Sequence, residues 1–349
     1  MKALVIEAPG DLRLIETPKP VPGPRDVVSR VVYSGICGTD LGIFSGKLSF
    51  VKDGRVKFPL RIGHEWAGVV DSVGRDVAGF KPGDRVVSDS GVTCGVCPGC
   101  LEGGGFGCAD SRALGTINAW DYGSFAEYIL IPEWNMYRLD DAVSLEQGAL
   151  IEPSTIALSG IDAIGAGGDV VLITGTGAVG LCAAALSKAL GAKKVVVAGR
   201  KQLKLDIALK VGADAAINLT HERLADAVMR ESDGRGAVKI IETTGSSDIF
   251  AQAVDCASPC GAVALLGFYD IKAIASNFLD NIVLKSLIIK GANGARASRR
   301  VMALMAGGAM DVSPLITGIY PLDSAVDVFE SAGEKSAANV KMLIKCSDI

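Results

Sequence analysis

Residues 170–190, VVLITGTGAVGLCAAALSKAL, decide the fold of the middle part of this 349-residue chain. The mostly apolar run Val170–Thr174 predicts a buried strand, and the Ala- and Leu-rich run Ala178–Leu190 predicts a helix. Between them, GTGAVG at 175–180 provides glycines for a tight turn and for close approach of the backbone to a ligand. The helix N-terminus that follows offers free N–H groups and positive potential to a phosphate. This strand, turn and helix predict a dinucleotide-binding unit.

Strands and helices continue to alternate beyond this unit. A helix is predicted at Lys201–Val211, and apolar strands are predicted at Lys194–Ala198, Ala215–Asn218, Val238–Glu242, Gly261–Gly267 and Leu287–Lys290. Apolar strands between helices indicate a parallel sheet that is covered on both faces, and right-handed crossovers wind such a sheet doubly. We therefore expect an α/β fold here.

The first 150 residues have a different pattern. Short Val- and Ile-rich runs occur at Lys2–Glu7, Asp26–Ser34, Ala67–Val73, Arg85–Ser88 and Ala126–Ile131, and Gly and Pro separate them. Many short strands with turn signals predict an irregular barrel or sandwich. Two structural patterns in one chain of this length agree with a prior of about two domains.

Composition limits the functions that need consideration. Hydrophobic residues form 49% of the chain and charged residues 21%, which predicts packed cores. The net charge of −4 gives no electrostatic case for nucleic acid or an anionic membrane as a partner. No apolar stretch has the length of a membrane span, and MKALVIEAPG breaks its apolar run too early for a signal peptide. Nine cysteines without a secretion signal predict a reducing, cytoplasmic environment.

Four of these cysteines form a compact cluster. Cys94, Cys97, Cys100 and Cys108 have the spacing C-x2-C-x2-C-x7-C within fifteen residues. Four thiolates so close together predict a tetrahedral zinc site. Because four thiolates fill the coordination sphere, we expect this zinc to order the loop and not to take part in a reaction.

A second metal site is a hypothesis from residue types. A catalytic zinc needs about three protein ligands and one exchangeable position. The candidates are Cys37, His64, Glu65 and Glu152, and only His64 and Glu65 are adjacent in the sequence. A single histidine is often only a hydrogen-bonded polar residue, so spacing alone leaves both interpretations open.

The residues after the second predicted strand bear on the choice of cofactor. An acid at this place would bind the adenosine ribose, but the chain has Ala198-Gly199-Arg200-Lys201. A small residue followed by Arg leaves room and charge for a 2′-phosphate, which favours NADP over NAD. Alternatively, Arg200 and Lys201 are a solvated helix start. The predicted cofactor-binding residues are Gly175, Gly177, Ala178, Val179, Gly180, Gly199, Arg200 and Lys201.

Several motifs together resemble the zinc-containing medium-chain dehydrogenase/reductase superfamily, the relatives of alcohol dehydrogenase. They are GICGTD at 35–40, GHE at 63–65, the pattern G-x-x-V-x-G-F-K-P-G-D-R-V at 74–86, the four-cysteine loop and TGTGAVG at 174–180. The resemblance implies a GroES-like catalytic domain at 1–155, completed by 295–349, and a Rossmann domain at 156–294. It also implies two zinc ions per chain and a homodimer or homotetramer, for which the apolar segment Leu287–Lys290 suits edge pairing.

The same resemblance implies roles for the catalytic candidates. Cys37 and His64 would bind the catalytic zinc. Glu152 stands where the alcohol-oxidising members have a cysteine, which is similar to the sorbitol, polyol and sugar dehydrogenase branch. In that branch either Glu65 or Glu152 can be a further ligand, and both remain candidates.

Thr39 and Asp40, which follow Cys37 closely, match two further positions of the family. Thr39 matches the hydroxyl that relays the substrate proton, and Asp40 matches the carboxylate that holds His64 by its other ring nitrogen. Gly42 occupies the place of a histidine that passes the proton to solvent in alcohol-oxidising relatives. The remaining histidine, His221, lies in the predicted Rossmann half, and we expect no catalytic role for it.

The segment 115–123, GTINAWDYG, resembles the family loop that approaches the substrate. Its polar groups suit a hydroxyl-rich ligand, with Phe44, Ser45, Asn118 and Trp120 as pocket candidates. A polyol, sugar or cyclitol is therefore the first expectation. A secondary-alcohol or threonine-type dehydrogenase is the alternative enzyme. A zinc- and dinucleotide-binding protein or redox sensor is the alternative outside enzymes.

Overall fold

A computed structural model describes residues 1–102, 107–165, 169–268, 276–294, 297–333 and 339–348 of the chain. Its N-terminal part is built from short strands and very short helices. The strands are β1 (Lys2–Ala8), β2 (Asp11–Glu16), β3 (Asp26–Gly35), β4 (Leu60–Arg61), β5 (Glu65–Val73), β6 (Arg85–Ser88), β7 (Gly91–Val92), β8 (Arg112–Ala113), β9 (Tyr128–Pro132) and β10 (Met136–Arg138). The helices are α1 (Gly38–Phe44), α2 (Ser49–Lys52), α3 (Pro98–Leu101) and α4 (Leu145–Gly148).

The middle of the chain alternates strands and longer helices. The helices are α5 (Ile151–Ile164), α6 (Ala178–Ala189), α7 (Gln202–Lys210), α8 (Leu224–Glu231) and α9 (Ser247–Asp255). The strands are β11 (Val170–Thr174), β12 (Lys194–Gly199), β13 (Ala215–Asn218), β14 (Ala237–Glu242), β15 (Ala257–Leu265) and β16 (Ile288–Gly291). The chain then continues with α10 (Ser298–Ala306), β17 (Ile316–Pro321), α11 (Ala325–Gly333) and β18 (Lys341–Lys345).

The six strands of the middle region form one parallel sheet in the order β13-β12-β11-β14-β15-β16. The side chains of Val171, Leu172 and Ile173 on β11 are fully buried, because helices cover both faces of the sheet. The strand order reverses between β11 and β14, and ligands of such sheets bind at the carboxyl ends of the strands at this switch point. The predicted α/β fold with a doubly wound sheet is confirmed, and the glycine turn lies at the switch point.

The N-terminal strands form two sheets that the C-terminal strands complete. A small sheet has the order β2-β1-β4, and a larger one has the order β10-β6-β5-β3-β18-β17, with β9 also paired to β3. Because β18 pairs antiparallel with β3, the end of the chain lies against the segment that leads to Cys37. The GroES-like part of the predicted fold is thus present together with the doubly wound part.

The predicted bounds 1–155, 156–294 and 295–349 stay predictions. Helix α5 crosses the first of them without a break, and it packs on α6, β15 and α10. Among the described residues, no helix has the length and apolar character that crossing a membrane requires.

Candidate metal centres and cofactor cleft

The four clustered cysteines converge at one point. Their sulfur atoms lie 3.5 Å apart for Cys97 and Cys100, 3.7 Å for Cys108 and Cys94, and 3.8 Å for Cys94 and Cys100. A tetrahedron with Zn–S bonds of about 2.3 Å has edges of about 3.8 Å. The four thiols therefore fit one zinc ion and leave no open position. Residues 103–106 of this loop lie outside the described part.

A second convergence joins residues that are distant in sequence. One ligand atom from each of Cys37, His64 and Glu65 lies within 4.8 Å of the other two. Strands β3 and β5 pair antiparallel with Gly35 opposite Glu65. This register places the residues just after β3 beside those at the start of β5. Cys37 is also the N-cap of α1, and its sulfur accepts a hydrogen bond from the backbone N–H of Thr39 at 3.5 Å.

Asp40 and His64 leave two buried polar atoms unsatisfied. The backbone N–H of Cys37 donates to Asp40 Oδ2 at 2.9 Å, while Oδ1 lies 3.6 Å from Nδ1 of His64 and neither of these two atoms has a hydrogen-bond partner among the described residues. Burial raises the pKa of Asp40 to about 6, although His64 opposes the shift. A histidine that binds metal through one ring nitrogen ordinarily donates the other N–H to a carboxylate. The arrangement fits that role for Asp40.

Two carboxylates accompany this centre. Glu65 is 1% exposed and Glu152, in the first turn of α5, is 8% exposed. Burial raises the pKa of Glu152, and the nearby His64 and a hydrogen bond with Ser90 oppose that shift. Glu152 lies near the centre but outside the group of atoms within 4.8 Å. The structure thus brings Glu65 closer to Cys37 and His64, and both carboxylates face the same region.

Lys341 also belongs to this centre, and the sequence reasoning missed it. Its Nζ donates to the Ile36 carbonyl oxygen at 3.0 Å and to Oε2 of Glu65. Burial is the largest single influence and lowers the pKa of Lys341, but the charge of Glu65, the hydrogen bond to it and the nearby thiols together outweigh burial and raise that pKa. The only sequence signal is a lysine that opens the apolar closing strand KMLIK, and nothing there indicates its partner.

Packing explains the absent histidine at position 42. A Cβ atom on Gly42 would lie 2.6 Å from Cδ1 and 2.7 Å from Cγ of Leu48. Because those are branch atoms of a partly buried side chain, a larger residue at 42 requires Leu48 to move. His221 is exposed in a turn after β13, and no described contact joins it to the metal centre.

The glycine turn has the close contacts that a cofactor loop requires. Gly175 has φ +109°, and a Cβ there would lie 2.4 Å from Thr243 Oγ1. A Cβ on Gly180 would lie 2.2 Å from the Gly175 carbonyl oxygen, so β11 and α6 approach closely. Gly177 caps α6 and has open space around its Cα, and Ala178 and Val179 form the first turn of the helix. Open space at a helix N-terminus suits a pyrophosphate.

The predicted pocket residues separate in the structure. Asn118 and Trp120 line a groove of about 600 Å³ together with residues of β1 and β4. Ser45 instead ends α1, where its hydroxyl donates to the Gly42 carbonyl oxygen at 3.3 Å, and Phe44 packs against the N-terminal core. Neither of these two lines the groove.

Sequence comparison identifies two families and close relatives. The alcohol dehydrogenase GroES-like domain family matches residues 23–141, and the zinc-binding dehydrogenase family matches residues 178–307. An L-threonine 3-dehydrogenase of Shewanella baltica is 31% identical over 97% of this chain and 98% of its own length. One from Deinococcus radiodurans is 33% identical over 95% and 94%.

Solved structures agree with this grouping. An Escherichia coli oxidoreductase of unknown specificity has a TM-score of 0.90 at 30% identity and covers 99% of both chains. A Sinorhizobium meliloti zinc-binding dehydrogenase bound to NADP has a TM-score of 0.89 at 30% identity, with 99% and 98% covered. Galactitol-1-phosphate dehydrogenase of E. coli has a TM-score of 0.87 at 29% identity, with 99% and 100% covered. With its fold, cysteine cluster and glycine turn, this chain belongs to the zinc-containing medium-chain dehydrogenase/reductase superfamily, as an alcohol-type dehydrogenase.

Proposed function

We propose that this protein binds two zinc ions and transfers a hydride between a hydroxyl of a polyhydroxylated small molecule and NADP. The observation that carries the proposal is the convergence of Cys37, His64 and a carboxylate in a chain whose parallel sheet has the glycine turn at its switch point. A binding protein or redox sensor has no use for an incompletely ligated metal centre beside a second, closed one. Metal analysis separates the two, because the enzyme should hold about two zinc ions and the sensor about one.

The residues present define a mechanism. A bound zinc would supply Lewis acidity to a substrate hydroxyl, and the nicotinamide would supply the redox chemistry. In this proposal Thr39, two residues after Cys37, accepts the substrate's hydrogen bond and passes on its proton. Asp40 orients His64 through Nδ1. Since Gly42 offers no imidazole, proton release must run through water, the ribose or one of the two glutamates.

Either Glu65 or Glu152 can be the third protein ligand. Proximity to Cys37 and His64 supports Glu65. The ion pair with Lys341, which occupies Oε2 of Glu65, supports Glu152. Zinc analysis of Glu65→Gln and Glu152→Gln decides between them, because the variant that has lost a ligand should hold about one zinc per chain and the other about two.

The preference for NADP has structural support. A Cβ on Gly199 would lie 2.5 Å from Cγ2 of Thr176, so a ribose-binding acid at 199 requires Thr176 to move. Arg200 and Lys201 are exposed at the end of β12. Burial lowers the pKa of Lys204, and the charge of Lys201 adds to the shift, so a second lysine lies near Lys201. A kcat/KM for NAD⁺ above that for NADP⁺ would contradict this assignment.

A homodimer or homotetramer is the proposed assembly. Strand β16 is the edge of the parallel sheet, and Ile288 on it is 56% exposed. Val283 and Leu284, just before this strand, are also exposed apolar residues. An edge strand whose outer side pairs with no strand of the described part, and whose neighbours are apolar, suits pairing with a second copy. Light scattering of the wild type and of Ile288→Glu tests this, and a wild-type monomer would refute it.

L-Threonine is the second candidate substrate, because the curated relatives at 31–33% identity are L-threonine 3-dehydrogenases. Oxidation assays with sorbitol, glucose, a cyclitol, L-threonine and 2-butanol separate the candidates. A kcat/KM for L-threonine at least tenfold above that for every polyol would replace the first proposal with the second. Failure to oxidise any of these compounds with either cofactor would count against both.

A further inference from the structure

The groove that contains Asn118 and Trp120 is basic. It lies beside the sheet β2-β1-β4, where Val5 of β1 and its register partner Arg61 of β4 both line it. Its lining includes four cationic side chains, Arg55, Lys57, Arg61 and Arg112, and two anionic ones, Glu7 and Asp121. The whole chain has a net charge of −4, so this local excess of positive charge is opposite to the field of the protein.

Two of the cations are held in place by their neighbours. Arg61 Nη2 donates to Thr17 Oγ1 at 2.9 Å, and its guanidinium carbon lies 5.4 Å from the centroid of the Tyr122 ring. Arg112 lies 5.8 Å from the Trp120 ring centroid, and its Nη1 also donates to Oδ1 of the exposed Asp121 at 3.5 Å, an ion pair that an incoming anion would have to displace. Guanidinium groups that rest against aromatic rings lose less side-chain freedom when they bind an anion.

The aromatic rings themselves are also fixed. Trp120 Nε1 donates to the Leu130 carbonyl oxygen at 2.9 Å, which anchors the indole at the groove wall. A ring face of this kind packs against the C–H groups of a hydroxylated carbon chain, while the cations bind its charged end. The groove therefore combines the two recognition elements that an anionic sugar derivative requires.

The groove and the metal centre share a stretch of backbone. Arg61 precedes His64 by three residues, so their Cα atoms are at most about 11 Å apart. The loop 115–123 packs directly on the intervening residues. A Cβ on Gly123 would lie 2.2 Å from the Ile62 carbonyl oxygen, and one on Gly115 would lie 2.5 Å from the Gly63 nitrogen. The groove and the metal centre thus lie at either end of one packed stretch of backbone, a separation that a ligand of several carbons can span.

We propose that the groove binds the anionic end, a phosphate monoester or a carboxylate, of the polyhydroxylated substrate whose hydroxyl reaches the metal centre. The proposal rests on the proposed function and narrows its substrate class to acidic polyols and sugars. It assigns substrate specificity to Arg61 and Arg112, which bind the charge through guanidinium N–H groups.

Matched substrates test the proposal. We expect a kcat/KM for sorbitol 6-phosphate or gluconate at least tenfold above that for sorbitol, and the better of the two identifies the anion. Arg61→Gln and Arg112→Gln should remove most of this preference by raising KM for the anionic compounds much more than KM for sorbitol. Arg75→Gln, an exposed arginine outside the groove, serves as the control and should retain the wild-type preference. Equal kcat/KM values for the neutral and anionic compounds, or a preference that survives both groove variants, would overturn the proposal.

A binding measurement separates this proposal from the proposed function. Inorganic phosphate should change the tryptophan fluorescence of the holoenzyme saturably, and Arg61→Gln should weaken that response at least fivefold, while Arg75→Gln leaves it unchanged. If no polyol is oxidised but this response is present, the function fails and the groove stands. If polyols are oxidised but phosphate gives no response that Arg61→Gln weakens, the groove proposal fails alone.

Discussion

Lys341 and Glu65, 276 residues apart in the sequence, form a buried ion pair at the metal centre. Strand β18 delivers the lysine and strand β5 begins with the glutamate, and both strands pair with β3. A Cβ on Gly35 would lie 2.5 Å from Glu65 Oε2 and 3.2 Å from Lys341 Cδ, so only glycine leaves room for the pair there. The last strand of the chain thus supplies a charge to a site that the first strands build.

We expect Lys341→Met to destabilise the fold. Removal of one partner leaves a buried, uncompensated carboxylate at Glu65, which costs about 3–5 kcal/mol in free energy of unfolding. The double variant Lys341→Met with Glu65→Leu should recover part of this loss, because both charges are then absent. Urea unfolding of the two variants and of Lys341→Arg gives the measurement, and a single variant as stable as the wild type would contradict the role of the pair.

Cys100→Ser should remove one of the two predicted zinc ions. Three thiolates bind a structural zinc much more weakly than four, so metal analysis should give about one zinc per chain. Thermal unfolding should occur at a lower temperature because the loop loses its crosslink. Cys260→Ser is the control, since Cys260 is an exposed thiol outside both metal centres. Equal zinc content in the two variants would argue against the four-cysteine site.

Arg200→Ala should weaken NADP⁺ binding selectively. A hydrogen bond to a charged group contributes about 1.5–3 kcal/mol, so KM for NADP⁺ should rise about ten- to a hundredfold while KM for NAD⁺ stays nearly constant. Lys210→Ala, at the other end of α7 and also exposed, provides the matched control. Equal changes in KM for the two cofactors would show that Arg200 does not bind a 2′-phosphate.

Asp214→Asn should reduce stability in a pH-dependent way. Burial favours the protonated carboxyl, but hydrogen bonds from Lys188 at 2.6 Å and from the Val195 backbone N–H at 2.8 Å hold the pKa of Asp214 below its ordinary value. A carboxyl whose pKa is lowered in the folded protein stabilises the fold at pH values above its pKa in the unfolded chain, which is about 3.9. The loss on substitution should be at most about 1 kcal/mol near neutral pH, because solvent screens the exposed pair.

The stability difference between the wild type and Asp214→Asn should shrink as the pH falls below about 4 and through the folded pKa. Urea unfolding at pH 7, 4 and 3 measures it. A difference that is constant over this range would indicate that the aspartate acts through packing and not through its charge.

His221→Ala should leave kcat within about twofold of the wild type. The side chain is exposed in a turn, and only its backbone N–H makes a described hydrogen bond, to Asn218 at 2.9 Å. A loss of kcat above about tenfold would mean that this histidine moves a proton in the reaction.

Much of the fold followed from local pattern. The apolar strand Val170–Thr174 and the helix that begins at Ala178 lie where hydrophobic periodicity and the glycine turn predict them. The spacing of Cys94, Cys97, Cys100 and Cys108 made their convergence predictable, because closely spaced cysteines of this pattern are typical ligands of one zinc ion. Such features depend on neighbours in sequence, which a single sequence displays.

Features that depend on contacts between distant segments could not be predicted from the sequence. No pattern in the sequence linked Lys341 to Glu65, explained Gly42 by its contact with Leu48, or placed Ser45 away from the groove that contains Asn118. Arg61 and Arg112 were unremarkable as single residues, and only the packing of loop 115–123 on residues 61–63 made them neighbours. The sequence by itself determined the family, the doubly wound sheet and the types of metal ligand, because local periodicity and motif spacing carry that information. The tertiary structure decided which charges share the metal centre and the basic groove, because strand register and loop packing set those distances.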